Sequence, residues 1–592
     1  MSNSNKNVTK KDNDVVKSVT KGRKIDPSTT IIPLIILIIL CTIFVINPEG
    51  STNVLSKIRG FLGTQLGLYY LIVALGIFLV SLYISFSDLG KVRLGGKNEK
   101  PKYGFFSWGA MVFCCGLAAD ILFYSLCEWV YYAEEPRVAE LGRIEDWANA
   151  IPLYHWGPIV WSFYAVLAAC FGFMIHVRGS KKQKYSEACR PILGKHTDGI
   201  LGKIIDVLAI IALIAGTATT FSVATPLLGS ALTTLFGIEY TKWVTIGILL
   251  VTCATYTTSV MIGMKGVNNL SKICMVLFGC ILMFVLVFGG KAVYILENGF
   301  YSLGLVVQNF PVLSTYTDPL RENGFAQNWT MYYWAYWLVW CVAAPFFMGN
   351  ISRGRTVKQV ILGTYVFGLF STLISFIVLG NYGLGLQTSG QFDAISMYEE
   401  NGYDLYAVII EIIKTLPCYQ VVLVLLILSM IAFYATSFDS ITLVASSYSY
   451  KNMKGNEMAS KKMKLFWAAL LILLPIALIF SESSMNNIQS VSIIAAFPVG
   501  MVIILIIASF IKDARKYIDN NEDPAPFDED VEIDEDEPAM VERELKVKKT
   551  APAISETEML LGPEEDEEPE EDNEKEDVDK LRSKMSKKKK GK

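Results

Sequence analysis

Apolar runs of about twenty residues recur along most of the chain, and no other feature constrains the fold as strongly. A helix needs roughly 20 apolar residues to cross the hydrocarbon core of a bilayer. By that measure the sequence predicts twelve spans, centred near residues 39, 76, 118, 166, 214, 251, 280, 338, 369, 428, 474 and 500. Composition agrees, with 52% of the 592 residues hydrophobic and only 18% charged. A soluble domain runs nearer a quarter charged. The first run, 31–47, follows a Lys-rich segment but lacks a small-residue cleavage site, so it reads as a retained first helix.

The loop charges test the count. Basic residues follow the even spans: Arg93 and Lys97 the second, Lys182 and Arg190 the fourth, Lys265 and Lys272 the sixth, Arg353 and Arg355 the eighth, Lys451 and Lys461 the tenth. Opposite loops carry Glu134, Glu135, Glu140 and Asp146, or Asp393, Glu399 and Asp404. This alternation is what the positive-inside rule predicts for twelve helices with both termini in the cytoplasm of a plasma-membrane protein.

The overall charge of −3 conceals a division. Residues 512–592 hold 28 acidic and 16 basic side chains, leaving 28 acidic and 37 basic in 1–511. A basic membrane body therefore precedes an acidic tail, which argues against a soluble enzyme, a nucleic-acid binder or a wholly disordered chain. The expected domains are a basic cytoplasmic tail (1–27), the helical body (28–511) and a cytoplasmic acidic tail (512–592). Both tails are too polar to bury a core of their own.

Spans three to seven occupy about 105–290 and spans eight to twelve about 327–511, nearly equal lengths. Two five-helix units in series must enter the membrane from opposite sides, the arithmetic of an inverted-topology repeat. The expected fold class is thus an all-α membrane protein of twelve transmembrane helices, two inverted five-helix repeats preceded by two extra helices.

Three groups of residues stand at unexpected depth. In the third span, CCGLAADILFY (114–124) places Asp120 beside Gly116, Ala118 and Ala119. Intramembrane carboxylates are costly, and small residues beside one mark a site for local unwinding around a ligand or ion. In the eighth span, Trp334, Trp337 and Trp340 recur every three residues and share one broad face before Pro345 weakens the helix. The fourth span answers with Trp156, Trp161 and Tyr164. Indole and phenol faces attract cations, and a cage of them recognises quaternary ammonium. A trimethylammonium group has no N–H to donate, so a hydrogen-bonding site would not serve. The third group is FYATSFDS (433–440) in the tenth span, where Thr436 and Ser437, with carbonyls freed in the third span, could supply oxygens to Na⁺.

The 11 cysteines form no CxxC pairs and read as free thiols. The three histidines (His155, His176, His196) have no metal-ligand spacing, and no phosphate-cradling loop occurs. Neither an enzyme nor an ATP-driven pump is expected, and no cofactor beyond a coupling ion.

With these residues in view, positions 26–516 resemble the betaine/carnitine/choline transporter family. The most specific pieces are YHWGPIVWSFYAV (154–166), TDPLRENGFAQNWTMYYWAYWLVW (317–340) and the loop NISRGRTVKQ (350–359). The YTDP and NGF context looks closest to the carnitine/butyrobetaine antiporter branch. The resemblance implies a homotrimer of twelve-helix carriers with a central aromatic box at Trp156, Trp161, Tyr164 and Trp337. It implies a neighbouring site at Tyr336 and Trp340, Tyr336 standing where relatives commonly have Trp. Tyr131 falls where the carnitine branch has a substrate-contacting Tyr.

Three departures bear on mechanism. Asp120 ends a stretch that is GxGxG in betaine carriers; choline-type members similarly carry Asp there, which favours a cationic substrate over one bearing a carboxylate. Cys274 takes the place of an Arg that stands in for sodium in the antiporter. The TSxDS run of sodium-coupled members is matched by Thr436, Ser437, Asp439 and Ser440, with Phe433 and the carbonyls of Cys114 and Leu117 completing the implied Na⁺ site. The expected function is secondary active transport of choline, glycine betaine or carnitine by alternating access, with Na⁺ symport preferred. Proton coupling through Asp120 and substrate/product exchange are the competitors. A transport-inactive osmosensor or receptor is the alternative of another class.

Overall fold

Helices in this protein stop and restart where the sequence puts small or polar residues at mid-span. The computed structural model describes residues 24–525, apart from 116–117, 181, 263, 454–458, 474 and 477–484. These residues belong to one unit, Met1–Asp536; a second unit, Glu537–Lys592, and both predicted tails lie largely or wholly outside the described residues. The protein is an all-α membrane protein. Among the described residues the only β pairing is two isolated bridges, Ile25 with Tyr450 and Arg93 with Thr356.

Nine described helical stretches are long and apolar enough to cross a bilayer. The three predicted spans not among them have identifiable reasons. Span 3 is split into Phe105–Cys114 and Asp120–Ala133. Span 8 is split into Met331–Trp340 and Ala344–Asn350, entered through a π-helical turn, Ala326–Thr330. Span 11 begins at Lys461–Leu471 and continues into residues that are not all described.

Both breaks follow from local chemistry. Proline has no N–H, so Pro345 cannot donate to the carbonyl of Cys341 four residues earlier, and it sits in the first turn of the new helix, where that loss costs nothing. The freed Cys341 carbonyl accepts the Tyr185 hydroxyl instead. In span 3 the second half starts on Asp120, whose carboxylate stands at the positive end of a helix macrodipole. Span 4 bends as well, from Ala150–His155 through Trp156 and Gly157 into Pro158–His176. A Cβ on Gly157 would lie 2.6 Å from the Leu153 carbonyl, so only glycine permits this turn.

Packing repeats under exchange of the two five-helix sets. Span 5 (Ile200–Phe236) packs along span 12 (Met485–Asp519), and span 10 (Tyr419–Tyr448) packs along span 7 (Met264–Phe288). Likewise the second half of span 8 lies on span 4, and the second half of span 3 lies on span 9, which starts at Val357–Thr364. Each pair maps onto the other when spans 3–7 and 8–12 change places, as an inverted repeat requires.

The NISRGRTVKQ loop is held against the loop after span 2. Gly354 N–H donates to Leu94 O at 2.6 Å and Leu94 N–H to Arg355 O at 2.8 Å. Gly354 has φ +81°, and a Cβ there would meet the Lys100 carbonyl at 2.2 Å. Arg355 lies over the Trp108 ring at 4.3 Å.

Candidate functional site

The breaks in spans 3 and 8 and the bend in span 4 meet at one cavity of about 710 Å³, part of it open to solvent. Its aromatic wall comes from Trp156 and Tyr164 on span 4 and Tyr336, Trp337 and Trp340 on span 8; Asp120 and Ala118 come from span 3, and Thr436, Ser437 and Ser440 from span 10.

Trp337 is the hub of the aromatic wall. Its ring centroid is 5.6 Å from Trp156, 5.5 Å from Trp161 and 5.1 Å from Tyr164, all in tilted or edge-on geometry. Trp161 does not line the cavity; it backs Trp337 and Tyr164, and Gly368 on span 9 leaves room for its ring, since a Cβ there would come within 2.2 Å. Thr372, also on span 9, accepts the Trp161 indole N–H at 3.1 Å and donates its own proton to the Trp156 carbonyl at 2.9 Å. One hydroxyl thus fixes both tryptophans of span 4.

Asp120 is buried in the cavity wall, and its Oδ2 accepts the Tyr336 hydroxyl and, at 3.3 Å, the Thr220 hydroxyl of span 5. Thr220 and Tyr336 also touch each other at 3.0 Å. A Tyr at position 336 therefore has a specific use, since its hydroxyl pairs with the carboxylate.

The hydroxyl wall is oxygen-rich. Thr436 Oγ1 donates to the Phe433 carbonyl at 3.0 Å, and the Cys274 thiol lies 3.8 Å from Thr436 Oγ1. Cys114 is the last residue of the first half of span 3, where a helix leaves carbonyls without amide partners of its own. Leu117, the fifth predicted contributor, lies outside the described residues. Asp439 is buried and accepts Ser259 Oγ at 3.0 Å and Ser440 Oγ at 3.2 Å. Among the described residues no three His, Cys, Asp or Glu side chains stand close enough to hold a metal ion.

Tyr131 and Trp334 lie off the cavity wall. Tyr131 packs on Trp329 and Tyr398, at 5.2 and 5.9 Å between rings, away from the cavity. It follows Asp120 by eleven residues on one helix, about 16 Å along the axis. Trp334 does not share the cavity face with Trp337 and Trp340 but packs on Tyr154 and His155. A step of three residues turns a helix by roughly −60°, so Trp334 and Trp340 diverge by about 120°.

Sequence reasoning missed Glu128. It is fully buried, and its Oε2 accepts the Trp156 indole N–H at 2.8 Å. Its place in the apolar run ILFYSLCEWVYYA (121–133) is the same kind of signal that singled out Asp120. Thr220 and Thr372 were missed too, and single threonines in apolar helices carry no such signal.

A bundle of apolar helices with two broken spans around a central aromatic cavity defines a multi-pass membrane carrier. The sequence matches the model of the family described as "BCCT, betaine/carnitine/choline family transporter" over residues 28–519. It is 30% identical over 482 residues to the glycine betaine transporter OpuD of Bacillus subtilis, covering 80% of this chain and 91% of that protein. It is 27% identical over 429 residues to a carnitine transporter of Acinetobacter baumannii, covering 72% and 76%. A glycine betaine transporter of Acinetobacter baylyi is 27% identical over 504 residues, covering 84% and 75%. The chain belongs to the betaine/carnitine/choline transporter family and is a transporter, not an enzyme.

Proposed function

We propose that this protein moves a trimethylammonium compound across the cell membrane by alternating access, coupled to Na⁺ entry. The observation that carries the reading is one cavity whose wall contains three tryptophans, two tyrosines and the Asp120 carboxylate. Aromatic faces attract a cation that has no N–H, and a carboxylate adds a charge that a zwitterion's own carboxylate would oppose. Choline is therefore the preferred substrate over glycine betaine or carnitine, although relatives are named for the latter two.

Trp156, Tyr164 and Trp337 hold the cationic head, with Trp161 behind them and Tyr336 and Trp340 forming the adjoining wall. Na⁺ fits the carbonyls of Cys114 and Phe433 with the hydroxyls of Thr436 and Ser437, since unwound carbonyls and helix-end oxygens are what carriers of this architecture offer the ion. A thiol, Cys274, stands beside that set, 3.8 Å from Thr436 Oγ1. Both termini face the cytoplasm, and the carrier assembles as a homotrimer.

The test is uptake of labelled choline, betaine and carnitine into reconstituted vesicles under an imposed Na⁺ or H⁺ gradient. The expected result is choline uptake driven by Na⁺. Uptake driven by H⁺ alone would transfer coupling to Asp120. Binding without uptake under either gradient would overturn the carrier reading in favour of a sensor.

A further inference from the structure

Behind the aromatic wall lies a buried hydrogen-bonded chain that joins spans 3, 4 and 8. Both oxygens of Glu128 act as acceptors: Oε2 takes the Trp156 indole N–H at 2.8 Å, and Oε1 takes the Tyr132 hydroxyl at 2.7 Å. Tyr132 has one proton and gives it to the carboxylate. Its oxygen, 2.7 Å from His155 Nδ1, therefore accepts from that nitrogen. His155 Nε2, left without a proton in the neutral ring, accepts from Thr330 Oγ1 at 3.1 Å. Every donor in the chain thus points toward Glu128, and Glu128, Tyr132, His155 and Thr330 are all buried.

This arrangement has a consequence for the cavity. Glu128 does not line it, but Trp156 does. A carboxylate on the indole N–H fixes the ring edge-first, with its face left for the ligand. It also pushes electron density toward that face, which strengthens attraction for a cation. Glu128 is fully buried, so bulk water does not screen it from the ring. Glu128 stands eight residues beyond Asp120 on the same helix, about 12 Å along the axis, so the two carboxylates address the ligand from different directions.

We infer that Glu128 is a positioning residue for Trp156 that selects positively charged ligands through the indole ring without touching them. The inference rests on the proposed trimethylammonium site. It separates charge from shape, so its readout is a comparison of two ligands of one shape: choline and its uncharged carbon isostere, 3,3-dimethylbutan-1-ol.

Glu128→Gln keeps the volume, keeps an oxygen for the Trp156 N–H and offers an N–H to Tyr132, whose proton can turn to His155. The fold should survive, and thermal melting of the purified protein checks that it does. Choline affinity should fall about fivefold to tenfold, while the affinity of the isostere stays within about twofold. Equal losses for both ligands would make Glu128 a packing group only, and no loss for either would also overturn the inference. If Glu128→Gln is not recovered, Trp156→Phe removes the same hydrogen bond from the other side while keeping an aromatic face. It should then cost choline more than the isostere, and equal costs would overturn the inference. Failure of the wild type to bind choline, betaine or carnitine at all would instead sink the substrate reading on which this rests.

Discussion

Asp120 and Glu128 are both buried carboxylates on the second half of span 3, yet their neighbours give them different tasks. Asp120 faces the cavity and is paired with two hydroxyls, from Tyr336 and Thr220, that leave its charge uncompensated. Asp120→Asn keeps an oxygen for Tyr336 and removes only the charge. Choline affinity should fall about tenfold, equivalent to roughly 1.4 kcal/mol, while betaine and carnitine gain relative to it. Competition against labelled choline in vesicles measures this, and an unchanged rank order would remove Asp120 from substrate selection. At the hydroxyl wall, Thr436→Val removes one oxygen and little volume. On the proposed sodium coupling it should raise the Na⁺ concentration for half-maximal uptake by about tenfold, a usual cost for losing one contact to a charge. Uptake with unaltered Na⁺ dependence would place the ion elsewhere. The residues that stood out in the sequence as out of keeping with their depth, such as Asp120 and Trp337, lie in the cavity wall. Tyr131, named from the resemblance, and Trp334, named from its spacing, lie off the cavity, because neither a resemblance nor a spacing fixes how far along, or how far around, its helix a side chain sits.

At the scale of elements, the broken spans were legible and the unbroken contacts between helices were not. Pro345 and the Ala118–Asp120 stretch announce interruptions because each removes or competes with a backbone bond. Close helix crossings leave a weaker trace. Gly349, in the second half of span 8, approaches span 4 so closely that a Cβ would lie 2.7 Å from both the Ala168 carbonyl and the Gly172 nitrogen. Backbone on both sides cannot yield as a side chain could. Gly349→Ala should therefore destabilise the protein by about 2 kcal/mol, read as a lower melting temperature in detergent and reduced uptake. Gly279→Ala, in span 7 with nothing within 4 Å of its would-be Cβ, should be neutral or stabilising, by up to about 1 kcal/mol. Equal effects at the two sites would mean that the crossing of spans 4 and 8 is looser than the geometry shows. Another element escaped prediction altogether. Ala292–Thr315 forms a 24-residue helix between spans 7 and 8. Its apolar residues are interrupted by Glu297, Asn298 and Asn309, so its hydropathy falls short of a spanning run while its helical period is intact.

At the scale of the whole molecule, the division between a basic body and an acidic tail gains a structural landmark at Arg178. This guanidinium, in the loop after span 4, holds Asp513 through two hydrogen bonds, of 3.0 and 2.8 Å, and Glu522 at 2.5 Å. It also lies 5.4 Å from the ring centroids of Phe173 and Tyr517. Burial alone would lower the Arg178 pKa, but the hydrogen bonds it donates to Asp513 and Glu522 outweigh it and the net shift is upward, so the clamp stays charged. The N–H of Ala525 reaches the Val177 carbonyl at 2.8 Å, and Lys97 pairs with Asp523 at 3.0 Å. The acidic residues at the end of span 12 and just after it are thus part of the body's own charge balance. Those after Ala525 have the composition of a solvated segment. Two truncations separate these roles. A chain ending at Ala525 keeps the contacts to Arg178 given above and should transport within about twofold of the full chain. A chain ending at Lys512 leaves the buried part of the Arg178 guanidinium unpaired and removes the last turns of span 12, which ends at Asp519. It should melt a few degrees lower, as the loss of roughly 1–2 kcal/mol would give, and lose uptake in proportion. Loss of transport on cutting at Ala525 would make the acidic tail a working part of the carrier, and an unimpaired chain ending at Lys512 would show that the Arg178 clamp holds nothing in place.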